Sequence, residues 1–461
     1  MEHIWKSRNI FFCIGILCLI CLCACGNAST YSDEEEQSKK IEFSNYIYDD
    51  NEPQYYAYSS MAVSENGYYY IINNIMHFYD IATDVDVALC SKLECLHDSS
   101  QCDAYVKKEK KNITITDGNG NVISDSSTEL DKSKEVNCVG HMIFYYNEHI
   151  YMVERNDIGD YLVRYDARFN NKERLSLIAD NGSRIGSPES ANMKDTAFLM
   201  DGYLYYMSVT ESASVAETNF MTQLACNRVK LEPNAVPEKL GEFDIAVDVP
   251  DFGSSSRAMV YGINDKMYYI TSLNSRFMVK ENCSQYRVAV YDATNGNFNV
   301  KLHINSNEIA DVLGSGTGKV NLYQCCVDKA GNVYAVSKSD SECAVWKFDL
   351  NEGCEPRKVY STSGSAYISN LIYDGEYIHF YEECTNYDTY KKVISINTLG
   401  EVIGTIALEA DFGDTGDIKV SAGSTYVFGA DGRYLVIGNK SGVYVYDMRN
   451  IGTTGSGFRK L

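Results

Sequence analysis

An all-β fold built from repeated four-stranded units is what this sequence of 461 residues predicts. Three observations carry the prediction. A turn pair followed by a Tyr-rich apolar strand recurs seven times, as Asn66-Gly67-Tyr68, Asn147-Glu148-His149, Asp201-Gly202-Tyr203, Asn264-Asp265-Lys266, Gly331-Asn332-Val333, Asp374-Gly375-Glu376 and Asp431-Gly432-Arg433. A second phrase, an alternating strand closing on aromatic-Asp, follows most of them: Tyr79-Asp80, Tyr165-Asp166, Tyr291-Asp292, Phe348-Asp349 and Tyr446-Asp447. No stretch keeps a helical apolar period over ten residues. Each unit therefore reads as an apolar inner strand, an Asx-Gly hairpin, a Tyr-rich strand, an aromatic-Asp strand, a turn and an outer strand. Such units, at about 40 to 60 residues each, are the signature of a β-propeller, most simply one of seven blades. Units three and six lack the second phrase, with Ile396-Asn397 a weak substitute in the sixth.

The elements follow in chain order. Residues 1–9 carry Lys6 and Arg8, and an apolar run without charge extends from Ile10 to Leu22. Its thirteen residues span about 20 Å as a helix, short of a bilayer core of about 30 Å. A basic flank, a short apolar core and a small-residue exit read as a secretory signal over residues 1–24. The exit Leu22-Cys23-Ala24-Cys25-Gly26 resembles the bacterial lipobox, which implies a lipid on the Cys25 thiol and Cys25 as the mature N-terminus. Residues 25–40 are small, polar and acidic, a flexible lipid-anchored spacer with little to bury. The propeller is expected over 41–461, with an insertion at 91–137 between blades one and two. The last unit turns Gly-rich after Asp447, so its outer strand is expected from the alternating segment Ile41–Tyr48, which would join the two ends of the ring.

Composition limits the partners. Lys and Arg number 41 against 63 Asp and Glu, a net charge of −22, which argues against nucleic acid because phosphate binding needs a basic face. Removing residues 1–24 takes away Glu2, Lys6 and Arg8, a net +1, and leaves the mature chain near −23. That charge keeps it off anionic lipid except at its anchor. Tyr is abundant at 37, but most Tyr fall in strand patterns and count first as packing. Trp346 is the only Trp of the mature chain.

Cysteine is the sharpest chemical signal. Five of sixteen lie in residues 1–25, and the remaining eleven are an odd number. Cys90, Cys95, His97 and Cys102 stand in a C-x4-C-x-H-x4-C spacing, three thiols and an imidazole within thirteen residues. This matches the four N/S donors of a structural zinc site. The competing readings pair Cys90 or Cys95 with Cys102 or Cys138 in a disulfide, or leave plain thiols. Cys325 and Cys326 are adjacent and would point to opposite faces of a strand, as core thiols.

Together the lipobox, the Asx-Gly-Tyr-Tyr repeat and the phrase Leu89-Cys90…Cys95-x-His97-Asp98…Cys102 resemble a group of uncharacterised lipoproteins of Gram-positive, often anaerobic, gut bacteria. The resemblance implies a propeller-like domain of unknown function on a surface lipoprotein, and brings no catalytic residues with it.

Other motifs are weaker. Asp117, Asn119, Asn121 and Asp125 imitate the start of a calcium loop, but Val122 and Thr128 stand where Gly and Glu are needed, so a hairpin turn is expected. His77, His149 and His379 fall in strand patterns and read as structural. No G-x-S-x-G, H-E-x-x-H or P-loop occurs. The expected function is a monomeric, lipid-tethered binding or scaffold module on the extracytoplasmic face of the cell membrane, taking a glycan, peptide or protein through its long-loop face. The alternatives are an extracytoplasmic enzyme acting on polysaccharide or peptide at the channel mouth, and a thiol redox protein using Cys90–Cys102.

Overall fold

The structure is a computed structural model. It describes residues 61–461 apart from 73, 98–101, 107–113, 117–121, 126–136, 156–157, 181–182, 186–195, 213–218, 249–253, 276–283, 306–307, 315–319, 385–390, 408–426, 440–441 and 452–458. The lipidation residue Cys25, the signal, the spacer and the segment Ile41–Tyr48 lie outside the described residues.

Seven four-stranded antiparallel sheets succeed one another along the chain and form the ring of a seven-bladed β-propeller, as the repeats predict. The blades span 61–88, 137–180, 197–248, 254–305, 321–363, 366–407 and 427–460. Blade three takes an extra strand, Ser183–Ile185, from the connector before it. Helix is confined to Ile309–Val312 and the 3₁₀ turn Met448–Asn450 among the described residues. Within the insertion, Thr114–Thr116 pairs antiparallel with Val122–Asp125, and Asp117, Asn119 and Asn121 of the calcium-like motif lie outside the described residues.

Both repeated phrases have a mechanical cause. In the first hairpins of blades two to four the central residues take positive φ: Asn147 and Glu148 (46° and 59°), Asp201 and Gly202 (50° and 75°), Asn264 and Asp265 (48° and 58°). Two successive positive-φ residues give the turn whose twist matches the flanking strands, and Asn, Asp and Gly adopt it at least cost. Blades five to seven use a buried Asp instead. Asp328 accepts from the Ala330 N–H at 2.9 Å, Asp374 from Glu376 at 2.8 Å and Asp431 from Arg433 at 3.0 Å.

The aromatic-Asp phrase caps the second hairpin. Asp80, Asp166, Asp292, Asp349 and Asp447 each accept the backbone N–H two residues on, at 2.8 to 3.0 Å. Asn397 does the same for Leu399 at 3.0 Å, so the weak substitute in blade six is a full functional equivalent. Its amide oxygen accepts as a carboxylate does.

Tyr holds the seams between blades. The twelve largest fully buried side chains include ten Tyr. Tyr206 Oη donates to the Ile178 carbonyl of blade two (2.7 Å), Tyr269 to Asn227 of blade three (3.1 Å), Tyr261 to Cys325 of blade five, and Tyr334 to Thr398 of blade six (3.2 Å). Tyr69 stacks on Tyr145 of blade two with centroids 5.2 Å apart, and Tyr381 meets Phe428 of blade seven at 4.5 Å. Tyr68 of blade one donates to Asp431 of blade seven at 2.9 Å. A seam needs an apolar body to fill it and a polar tip to satisfy the neighbour's backbone, and Tyr supplies both.

The ring is closed by blade seven. Its fourth strand among the described residues is Arg459–Lys460, paired with Tyr444 and Val445; the segment Ile41–Tyr48, expected there, lies outside the described residues. The buried Arg433 donates to Asp431 (2.6 Å), the Glu65 carbonyl (2.8 Å) and the Ser64 carbonyl (3.0 Å), across the junction with blade one. Arg459 pairs with Asp84 and donates to Tyr79 Oη at 2.8 Å.

One seam position tests this packing. Gly331 has φ +84°, and a Cβ on it would lie 2.4 Å from Tyr268 Oη of blade four. Gly331→Ala is expected to destabilise the protein by about 1–3 kcal/mol, read as a lower urea midpoint at unchanged slope.

Candidate metal centre

Antiparallel order sorts the turns by end. First-to-second and third-to-fourth turns share one end of each blade, and second-to-third turns share the other with the inter-blade connectors. The Cys/His segment leaves blade one at that second end. Leu89 prolongs the outer strand by donating to the Met76 carbonyl at 2.9 Å, and Cys90 follows. The chain then turns back and hydrogen-bonds the second-to-third turn of blade one. Met76 N donates to Ala104 O at 2.8 Å, Val106 N to Asn74 O at 2.6 Å, and Ile75 bridges Tyr105. Lys92 and Asp103 close the loop with an ion pair of 2.7 Å, and Ser91 Oγ donates to Asp103 at 2.7 Å.

This return brings all four residues nominated from the sequence together. One donor atom each from Cys90, Cys95, His97 and Cys102 lies within 4.8 Å of the others. His97 Nδ1 is 3.4 Å from Cys102 Sγ. His97 holds φ +55°, a left-handed conformation that a side chain larger than Gly adopts only when its surroundings require it. Cys102 is buried, and Cys90, Cys95 and His97 are half-buried, against a core patch containing Ile75, Met76 and Ala104.

The thiols differ electrostatically. At Cys90 the upward push of burial is outweighed by hydrogen bonds from the backbone at Lys92 and Asp103 and from the other two thiols, so its pKa is lowered. Burial, with the neighbouring thiols adding to it against a backbone hydrogen bond from Ala104, pushes Cys102 up to about 12. The eight cysteines whose side chains are described are free thiols. The donor set can take a metal ion: tetrahedral zinc, with Zn–S of about 2.3 Å, separates its sulfurs by about 3.8 Å, so modest contraction suffices.

Four further cysteines serve packing. Cys226, Cys325, Cys326 and Cys343 are fully buried, and burial raises Cys226, Cys326 and Cys343 above the usual thiol range. Cys325 Sγ lies 3.3 Å from Met259 Sδ, which makes the Cys325–Cys326 pair core thiols as expected. The side chain of Cys138 lies outside the described residues. Trp346 is buried, with Nε1 donating to Ser337 Oγ at 2.8 Å, and offers no stacking face for a sugar.

Sequence reading missed a buried Asp–His–Ser set. His379 contacts Asp374 at 2.7 Å through Nε2 and Ser395 Oγ at 2.8 Å through Nδ1. The three side chains resemble a hydrolase triad in identity but are sealed in blade six, with His379 at 0% exposure. They link the Asp374 hairpin to the third strand, a packing role that fits the structural reading of His379. His77 is likewise bound to Asp86 at 3.1 Å within blade one.

No family model matches the chain, and no curated protein matches it. Solved structures similar to it include a protein from Lactobacillus plantarum, at 10% identity over 87% of this chain and 92% of that one, with a TM-score of 0.40. Dipeptidyl peptidase 4 from Porphyromonas gingivalis is 12% identical over 86% of this chain, with a TM-score of 0.36, and this chain spans 59% of its length. A europium-containing methanol dehydrogenase is 10% identical over 87% of this chain and 77% of its own, with a TM-score of 0.39. At these identities the likenesses carry neither activity nor partner to this chain.

Proposed function

We propose that this protein is a cell-surface lipoprotein, a lipid-tethered β-propeller that binds or scaffolds a glycan, peptide or protein outside the cytoplasm. Zinc in the Cys90, Cys95, His97 and Cys102 site holds its first inter-blade loop. The observation that carries the binding reading is that loop itself. It is lined by three thiols and an imidazole and closed by an ion pair at the end of the blades where the connectors emerge, on a ring with buried apolar clusters running from blade to blade. Rigid scaffolds that display loops in this way serve recognition. Three thiolates and one imidazole form a soft, closed donor set without a carboxylate or water position, which favours zinc in a structural role. The lipobox-like exit and the resemblance to Gram-positive lipoproteins support the anchor.

Membrane attachment is tested in a Gram-positive host. The mature protein is expected to begin at Cys25, carry diacylglycerol and sediment with membranes, whereas Cys25→Ser releases it or leaves it unprocessed. A mature N-terminus elsewhere, or lipid labelling that survives Cys25→Ser, contradicts the anchor.

A further inference from the structure

A cleft of about 250 Å³ opens between blades four and five, on the end of the blades opposite the Cys/His segment. Strand register explains how it is lined. Lys266, Asp292 and Asn297 stand in one cross-strand row of blade four, and Tyr268, Val290 and Asn299 in the next row on the same face. Lys301 lies two residues beyond Asn299, and the second hairpin of blade five contributes Leu350 and Asn351. The floor is apolar and buried, with Tyr268, Val290 and Leu350 at 5 to 8% exposure. Its rim is amide-rich and exposed.

The charge of the cleft runs against that of the chain. Asp292 is engaged by its own turn, accepting from Thr294 N–H at 2.9 Å and Asn295 Nδ2 at 3.1 Å. Lys266 and Lys301 stand outside the ion pairs that the described residues make, which engage Lys92, Lys172, Lys239, Lys358 and Lys392. Two lysines against one aspartate therefore line this concave site, Lys266 opposite Asp292 in the strand pair, on a chain of net charge −22. An apolar floor suits the C–H face of a pyranose ring, side-chain amides pair with hydroxyls at its edge, and the ammonium groups pair with a carboxylate. The volume is below the range of about 300–1,000 Å³ for drug-sized ligands and suits one sugar ring with parts of its neighbours.

We propose that this cleft binds a uronic-acid residue of an acidic polysaccharide. The proposal rests on the binding-module reading only in placing the ligand outside the cytoplasm, and its lining shares no residue with the Cys/His segment.

Calorimetric titration of the mature protein tests it, using oligogalacturonate, oligoglucuronate, a neutral glucose oligomer and inorganic phosphate as probes. A uronate oligomer is expected to bind, more weakly as salt rises, while the neutral oligomer does not. Lys266→Ala with Lys301→Ala should weaken uronate binding by about tenfold or more at unchanged thermal midpoint. Asn299→Ala should weaken it at constant salt dependence. Equal binding of the neutral oligomer, phosphate binding as tight as uronate, binding untouched by the double substitution, or no binding of either uronate overturns the proposal. Lipidation of Cys25 is read separately, so failure of the cleft leaves the surface-lipoprotein reading standing.

Discussion

Cys102→Ser is expected to abolish zinc retention. Native mass spectrometry of the soluble body should show one zinc per wild-type chain and none in the variant. Cys102 is the buried member of the set and touches His97, so its sulfur would tie a bound ion to the core of blade one. A hydroxyl there supplies a harder, neutral donor, and the loss should exceed the roughly 10–100-fold that removal of an outer-sphere partner costs. Hydrogen exchange separates the local effect from the global one. Amides of residues 89–97 and 102–106 should lose protection in the variant or after chelation, while the strands of blades two to seven keep theirs. Cobalt in place of zinc should give the visible bands of a tetrahedral thiolate site. Zinc retained by the variant, or wild type isolated with a Cys90–Cys102 disulfide and no metal, contradicts the metal reading.

Arg433→Ala is expected to cost about 3–5 kcal/mol of folding stability, because it leaves the carboxylate of Asp431 buried without its counter-charge. The guanidinium is 6% exposed and Asp431 is fully buried. It also joins two carbonyls of blade one and lies over the Tyr68 ring at 5.3 Å. Arg433→Lys should recover only part of the loss, since an ammonium cannot span three acceptors in one plane. Arg459→Ala, at the outer end of the same junction, should cost no more than ~1 kcal/mol because its pair with Asp84 is about half exposed. Urea unfolding of the three variants measures this order. Arg459→Ala exceeding Arg433→Ala would move the closure from the inner hairpin to the C-terminal strand.

The repeat was legible because its parts are local. Asp, Asn and Gly at a hairpin satisfy or relax the backbone within four residues, so each hairpin carries its signature wherever it lies in the ring. Blade six shows the limit of reading by residue identity: Asn397 accepts the same N–H as the Asp of other blades. The Cys/His site was legible for the same reason, its donors falling within thirteen residues. The cleft was not, because Lys266, Asp292, Lys301 and Asn351 belong to different strands and hairpins that only sheet register and blade packing bring together. His379 with Asp374 and Ser395 was missed because their spacing has no meaning until two strands are paired.

By itself the sequence determined the seven units, the strand order within each, the excess of Tyr and the four metal-capable donors. Those features follow from backbone geometry and side-chain chemistry over short spans. Tertiary structure alone decided what the hydroxyls of Tyr206, Tyr261, Tyr269 and Tyr334 meet across their seams and that Arg433 closes the ring onto Ser64 and Glu65. It also decided that the last blade takes its outer strand from Arg459–Lys460. Such contacts join residues tens to hundreds of positions apart. Local propensity cannot choose among the many buried polar partners at that distance, whereas packing of the ring brings particular donors and acceptors within reach.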